Sequence, residues 1–181
     1  MKTVQPIRST EEIQAMKSEL LKKGYRDYLL FMVGVNTGLR ISDILKLKVS
    51  DVRGKTHITI KEQKTGKTKK ALITQQLRQD LDNFTALMGS EEYLFQSRNG
   101  NNQPITRVQA YRILTQAAAN VGLEEIGTHT LRKTFGYHHY QQNKDVALLQ
   151  ELFNHSAPSV TLRYIGINQD NMDESMKNFS L

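Results

Sequence analysis

Four side chains toward the C-terminal end have types and spacing suited to chemistry: His129, Arg132, His155 and Tyr164. His129 and Arg132 are i and i+3, about 300° of rotation on a helix, so they share one face. Thr128 stands where an N-cap would stand, which puts the pair at a helix start. A helix N-terminus carrying a guanidinium and an imidazole is a phosphate-binding surface. Tyr164 adds a hydroxyl nine positions after His155. Phosphate grip, imidazole donors and a phenol nucleophile together point to phosphoryl transfer through a covalent tyrosyl intermediate. Five-coordinate phosphorus spreads charge over two non-bridging oxygens, which asks for a second arginine. Arg40, in TGLRISDILKLKVSDV at 37–52, is the candidate.

A phenol titrates near 10, so a nucleophilic Tyr164 needs cations beside it. Arg40, Arg132 and the two histidines are the ones available. Asp43 lies one turn beyond Arg40 on the same face. It either accepts from an arginine and fixes its fork, or is an ordinary i,i+3 surface partner. His57, His138 and His139 read as structural, the last two because they fall beyond the first turn of their helix. Tyr137 and Tyr140 read as core or rim.

The elements that must position these groups are legible from pattern. Ser9-x-x-Glu12 is a capping box, followed by an apolar stripe of Ile13, Met16, Leu20 and Leu21 up to Gly24. Residues 25–37 are apolar nearly all round, which predicts a buried central helix ended by Gly38. Arg40 then follows on a short helix, 41–47, seated against the buried one. THITI (56–60) and TKKALIT (68–74) flank Lys64-Thr65-Gly66-Lys67 as a β-hairpin. A helix is predicted over 74–89 with Leu77, Leu81, Phe84 and Leu87 or Met88 on one face. Residues 91–96 read as a short extended piece. Another helix, 106–121, presents Val108, Tyr111, Leu114 and Ala118. Helices are predicted again at 128–141 and 144–153. Residues 168–181 form a weak amphipathic helix with Met172, Met176 and Phe179 in a stripe and Asp170 or Asn171 as its cap. The sum is a mainly α fold with a small antiparallel β-sheet.

The ordered pattern R-x-x-[ED], H-x-L-R, H, and Y nine residues later resembles the catalytic domain of tyrosine recombinases, the phage-integrase family. It is written here as Arg40-Ile41-Ser42-Asp43, His129-Thr130-Leu131-Arg132, His155 and Tyr164, and the resemblance runs from about residue 8 to 167. It implies the tyrosine-recombinase catalytic-domain fold over 9–167, with 1–8 as an arm or linker and 168–181 as a C-terminal tail. It also implies a site-specific recombinase that cleaves and rejoins double-stranded DNA through a 3′-phosphotyrosyl link, without ATP, cofactor or metal. By the same resemblance Lys64 is the general acid for the 5′-leaving oxygen, with Lys67, flanking the same turn, as the alternative. Four protomers would act on two sites, exchanging their tails. Two departures stand out. Asn154 precedes His155 where the family pattern has glycine, and asparagine tolerates the left-handed conformation better than most residues. Nothing before residue 9 could form the family's usual N-terminal helical domain, which implies either an excised catalytic domain or the short, fimbrial-switch type.

Composition bounds the rest. Across 181 residues, 25 Lys and Arg against 18 acids give a formal charge of +7, which favours a polyanionic partner. There is no cysteine, hence no disulfide or thiolate metal site. No apolar run approaches the roughly 18 residues of a membrane span, and MKTVQPIRS lacks a signal-peptide core. A cytoplasmic protein is expected. Two other readings fit the same residues: a type IB topoisomerase-like enzyme that only relaxes supercoils, and a basic, non-catalytic DNA-binding regulator.

Overall fold

The computed structural model describes residues 4–177 and 179–180, without the side chains of Gln169 and Ser175. Residues 1–3 of the expected arm, and Asn178 and Leu181 of the tail, lie outside the described residues. The described chain runs α1 (Thr10–Lys23), α2 (Tyr25–Thr37), α3 (Ile41–Ile44), a 3-10 turn (Val49–Asp51), β1 (His57–Lys61) and β2 (Thr68–Leu72). It continues with α4 (Gln75–Thr85), α5 (Arg107–Asn120), α6 (Thr128–Asn143), α7 (Val146–Phe153), α8 (Pro158–Tyr164) and α9 (Ile167–Lys177). β1 and β2 pair antiparallel, with Thr59 opposite Lys70. The fold is therefore mainly helical with one two-stranded sheet.

Helix α2 is the axis. Leu29, Leu30, Phe31 and Val33 are fully buried, because an all-round apolar helix is stable only when covered on every side. It packs on α1, α4 and α6. Gly38 ends it at φ 63, ψ 14, the left-handed turn that glycine adopts without a Cβ penalty. Phe135 of α6 packs into the space a Cβ would fill there. A second, smaller core lies beyond α6, built from Leu149, Phe153, Ile165 and Ile167 and flanked by Phe135, Tyr137, Tyr140, Leu162 and Tyr164. Gly136 lets Phe153 and Ile165 come against the α6 backbone.

The described part of the arm, residues 4–8, lies along α6. Ile7 N–H donates to Thr134 Oγ1 at 2.9 Å, and His138 Nε2 lies 2.9 Å from the Ile7 carbonyl. Lys133 Nζ donates to the Val4 carbonyl at 2.8 Å. Arg8 pairs with Asp170 of α9 at 3.1 Å.

Several elements differ from expectation. Helix α3 stops at Ile44, and Val49–Asp51 winds separately. α4 ends at Thr85, because the Thr85 hydroxyl folds back to the Leu81 carbonyl and Arg53 takes the carbonyls of Thr85 and Met88. Leu87 is consequently exposed. On α5 the buried stripe is Ala110, Leu114, Ala117 and Ala118, at i, i+4, i+7 and i+8, while Val108 and Tyr111 face solvent. Small residues let that helix sit close to α1. Thr128 is not the cap of α6. Gly127 holds that position, its N–H donating to Thr130 Oγ1 at 3.0 Å. α9 starts at Ile167, so Asp170 lies inside the helix and is held by Arg8, not used as a cap. α8 has no counterpart in the pattern reading; it opens on Pro158, a residue preset for a first helical turn.

Candidate active site

The first turns of α6 supply His129 and Arg132. Arg132 is only 4% exposed. Its Nη1 donates to the Gly38 carbonyl at 2.5 Å and its Nη2 to the Phe153 carbonyl at 2.9 Å. The guanidinium also stacks 4.2 Å from the centre of the Phe153 ring and lies close enough to the Tyr164 hydroxyl for the two groups to shift each other's titration. Burial draws its pKa down, yet a guanidinium stays charged in proteins. One arginine thus joins the end of α2 to the end of α7, beside the end of α8.

Arg40 precedes α3 in an extended conformation. Its Nη1 lies 2.5 Å from Glu62 Oε1, and Lys69 Nζ lies 3.1 Å from the same oxygen. Thr65 Oγ1 donates to Glu62 Oε2 at 2.6 Å. Burial by itself would push the Glu62 carboxyl up; Arg40, Thr65 and Lys69 outweigh it and hold it at about 2. Asp43, expected either to fix an arginine's fork or to be an ordinary surface partner, is buried and does something else. Its Oδ1 accepts from the Gln63 N–H at 3.2 Å and so anchors the far end of β1. Glu62 holds the Arg40 fork in its place.

Arg40, Lys64, His129 and Arg132 line one cleft of about 400 Å³, together with Gln63, Arg107 and Thr128. Lys64 reaches it from the hairpin tip. Lys67 does not line it; its Nζ donates to Asn154 Oδ1 at 2.7 Å. His129 is exposed at the rim. The cleft walls and the surrounding cations, Lys133, Arg107, Arg132 and Lys64, draw its pKa down.

His155 and Tyr164 approach Arg132 from the other side. His155 Nδ1 lies 3.0 Å from Thr161 Oγ1, and its ring meets the Tyr164 ring edge-on at 5.2 Å. Burial, then Arg132, Arg40 and Lys69, pull His155 down to about 4. It is therefore a neutral imidazole at pH 7. Asn154, just before it, sits at φ 55, ψ 45, so the left-handed turn is kept with asparagine in it. Tyr164 is the last residue of α8. Burial raises its phenol pKa, and Arg132 and Arg40 oppose that without cancelling it. The resting nucleophile candidate is thus a protonated phenol. Lys133 Nζ sits 5.1 Å from the ring centre.

Glu62, Gln63, Lys69, Arg107, Phe153 and Thr161 belong to this site and have no place in the motif reading. A signal existed for Glu62. Ile58, Ile60 and Glu62 alternate onto one strand face, and an acid on an apolar face implies a buried partner. Among the described residues no cluster of three or more His, Cys, Asp or Glu is placed to hold a metal. No described helix is long and apolar enough to cross a membrane.

The fold is that of several solved recombinases. Superposition on XerA recombinase gives a TM-score of 0.77 at 20% identity, covering 96% of this chain and 63% of that one. A lambda integrase tetramer bound to a Holliday junction gives 0.72 at 18% identity, covering 91% and 49%. By sequence, the phage integrase family model matches residues 8–171, and the chain belongs to that family. It is 56% identical over 179 residues to a probable integrase/recombinase, YoeC, of Bacillus subtilis, covering 99% of this chain and 98% of that protein. It is 27% identical to the tyrosine recombinase XerA of Pyrococcus furiosus, covering 99% of this chain but 64% of the relative. The type 1 fimbriae regulatory protein FimE of Escherichia coli is 28% identical, with 87% and 84% covered. The chain therefore spans nearly all of one relative and less than two thirds of the longer tyrosine recombinase.

Proposed function

We propose that this protein is a site-specific recombinase acting on double-stranded DNA, with Tyr164 as nucleophile. The observation that carries the reading is Arg132, a buried guanidinium that borders the cleft shared with Arg40, His129 and Lys64 and acts electrostatically on the Tyr164 phenol. A scissile phosphate bound there meets two guanidiniums fixed before it arrives, the arrangement that stabilises developing charge at low reorganisation cost. Tyr164 Oη attacks phosphorus and the P–O5′ bond breaks, leaving a 3′-phosphotyrosyl ester. Lys64 gives its proton to the departing O5′. The phenol proton passes to a neutral imidazole, which we assign to His155, packed edge-on to the Tyr164 ring. A 5′-hydroxyl from a partner duplex reverses the step, so the ester conserves the bond energy.

In this reading residues 9–167 form the catalytic domain and residues 1–8 an arm. Residues 168–181 dock on a neighbouring protomer of a tetramer spanning two sites. The exposure of Met176 and Phe179 supports a tail that needs a covering surface. A DNA substrate also places the protein in the cytoplasm. The test is a plasmid carrying two copies of a cognate site. Recombinant products with exchanged flanking sequence and no net loss of phosphodiester bonds support the proposal. Relaxation without site exchange favours the topoisomerase-like reading, and a failure to form any covalent adduct favours a non-catalytic regulator.

A further inference from the structure

Besides the Glu62–Arg40 ion pair, the hairpin that carries Lys64 is held to the body by polar contacts on both of its sides. On the β1 side, Asp43 accepts from the Gln63 N–H at 3.2 Å. On the β2 side, Lys67 Nζ donates to Asn154 Oδ1 at 2.7 Å, and Lys69 Nζ donates to the Leu152 carbonyl. Between these anchors, Lys64, Thr65 and Gly66 are exposed, and Gly66 turns at φ 68 with nothing packed against it. The tip is exposed, and polar anchors, among them the bond from Thr65 Oγ1 to Glu62 Oε2 at 2.6 Å, set where Lys64 points. Asn154 is the less expected of them. It ends α7 in the left-handed region, a conformation that glycine adopts freely and asparagine at some cost. A glycine would keep the turn but would have no acceptor for Lys67.

We propose that Lys67 and Asn154 are a positioning pair: their hydrogen bond pins the hairpin tip to the turn before His155 and so aims Lys64 into the cleft. The proposal rests on the reading of Lys64 as the proton donor to O5′. Both side chains are exposed, so their bond adds little to global stability, and its loss is read in the chemistry and not in melting.

The test is single-turnover cleavage of a nicked DNA substrate at saturating DNA, with either oxygen or sulfur at the 5′-bridging position. A thiolate leaves without being protonated, so the sulfur substrate bypasses the general acid. The variants are N154G, K67M, the double variant and K64A. We expect K64A to slow the oxygen substrate by ~10²-fold or more, the scale of a general acid. N154G and K67M should each slow it by roughly tenfold, part of the penalty of a misplaced group. The double variant should be no slower than either single, and all four should approach the parent rate on sulfur. Melting temperatures of N154G and K67M should match the parent. Parent rates on oxygen, additive losses, or equal slowing on both substrates by N154G while K64A is relieved by sulfur would each overturn the pair's role and leave Lys64 standing. If sulfur does not relieve K64A, the general-acid reading fails and the route through Lys64 fails with it.

Discussion

Replacing Glu62 with glutamine removes one charge from the most enclosed ion cluster in the site. Glu62 is 1% exposed and serves both Arg40 and Lys69. Its carboxyl is held at about 2 against an ordinary value of 4.5, which corresponds to about 3 kcal/mol of folding stability at neutral pH. Breaking a buried pair by neutralising one partner costs a similar ~3–5 kcal/mol, because the remaining cations stay desolvated. For a chain of this size that lowers the melting temperature by roughly 6–12 °C. The sign with pH follows from the depressed value. The carboxylate's contribution is complete above 4.5 and is lost as pH falls through about 2. Thermal melts of parent and E62Q at pH 7 should differ by that interval, and the gap should close between pH 4.5 and 2. Cleavage by E62Q, measured well below its melting temperature, should fall by ~10²-fold as Arg40 loses its fork. Equal melting temperatures at pH 7, or a gap that ignores pH, would refute the reasoning.

Arg132→Lys should slow single-turnover cleavage by ~10²-fold or more, because one ammonium cannot serve the Gly38 and Phe153 carbonyls and the Tyr164 phenol together; full activity would sink the clamp. Unfolded His155 takes its proton near 6.5, while the folded residue resists until about 4. Parent stability should therefore decline as pH falls from 6.5 to 4, and His155→Gln should flatten that decline in thermal melts; unchanged slopes would contradict the burial of this imidazole. Deleting residues 168–181 should leave single-site DNA binding intact while two-site exchange fails; normal recombination by the truncated chain would refute tail docking on a neighbour.

Much of the fold was legible because local patterns agree with the global result. The Ser9 cap, the all-round apolar α2, the Gly38 stop and the hairpin around Gly66 are each set by residues close in sequence. That cations would lie near Tyr164 was expected from the chemistry of a phenol, and Arg132 and Arg40 are the ones that act on it. The partner of Arg40 was not, because the choice between Asp43 and Glu62 depends on how β1 docks. Asp43 is three residues from Arg40 and meets a backbone N–H, whereas Glu62 arrives on a strand end from 22 residues away. The α5 face was misplaced because alanines mark close helix approach more than large apolar residues do. The cap of α6 shifted by one residue because the Thr130 hydroxyl reaches back to Gly127. The phenol's raised pKa was also beyond the pattern: two arginines are nearby, but burial outweighs them.

The central claim is that Tyr164 makes the covalent bond to DNA. A nicked substrate labelled on the 3′-phosphate side, incubated with the parent and then digested, should leave the label on the peptide containing Tyr164. Tyr164→Phe should form no adduct while its DNA affinity stays within about twofold, since a single hydroxyl is removed. Adduct formation by Tyr164→Phe, or label recovered on Tyr137 or Tyr140, would contradict the account.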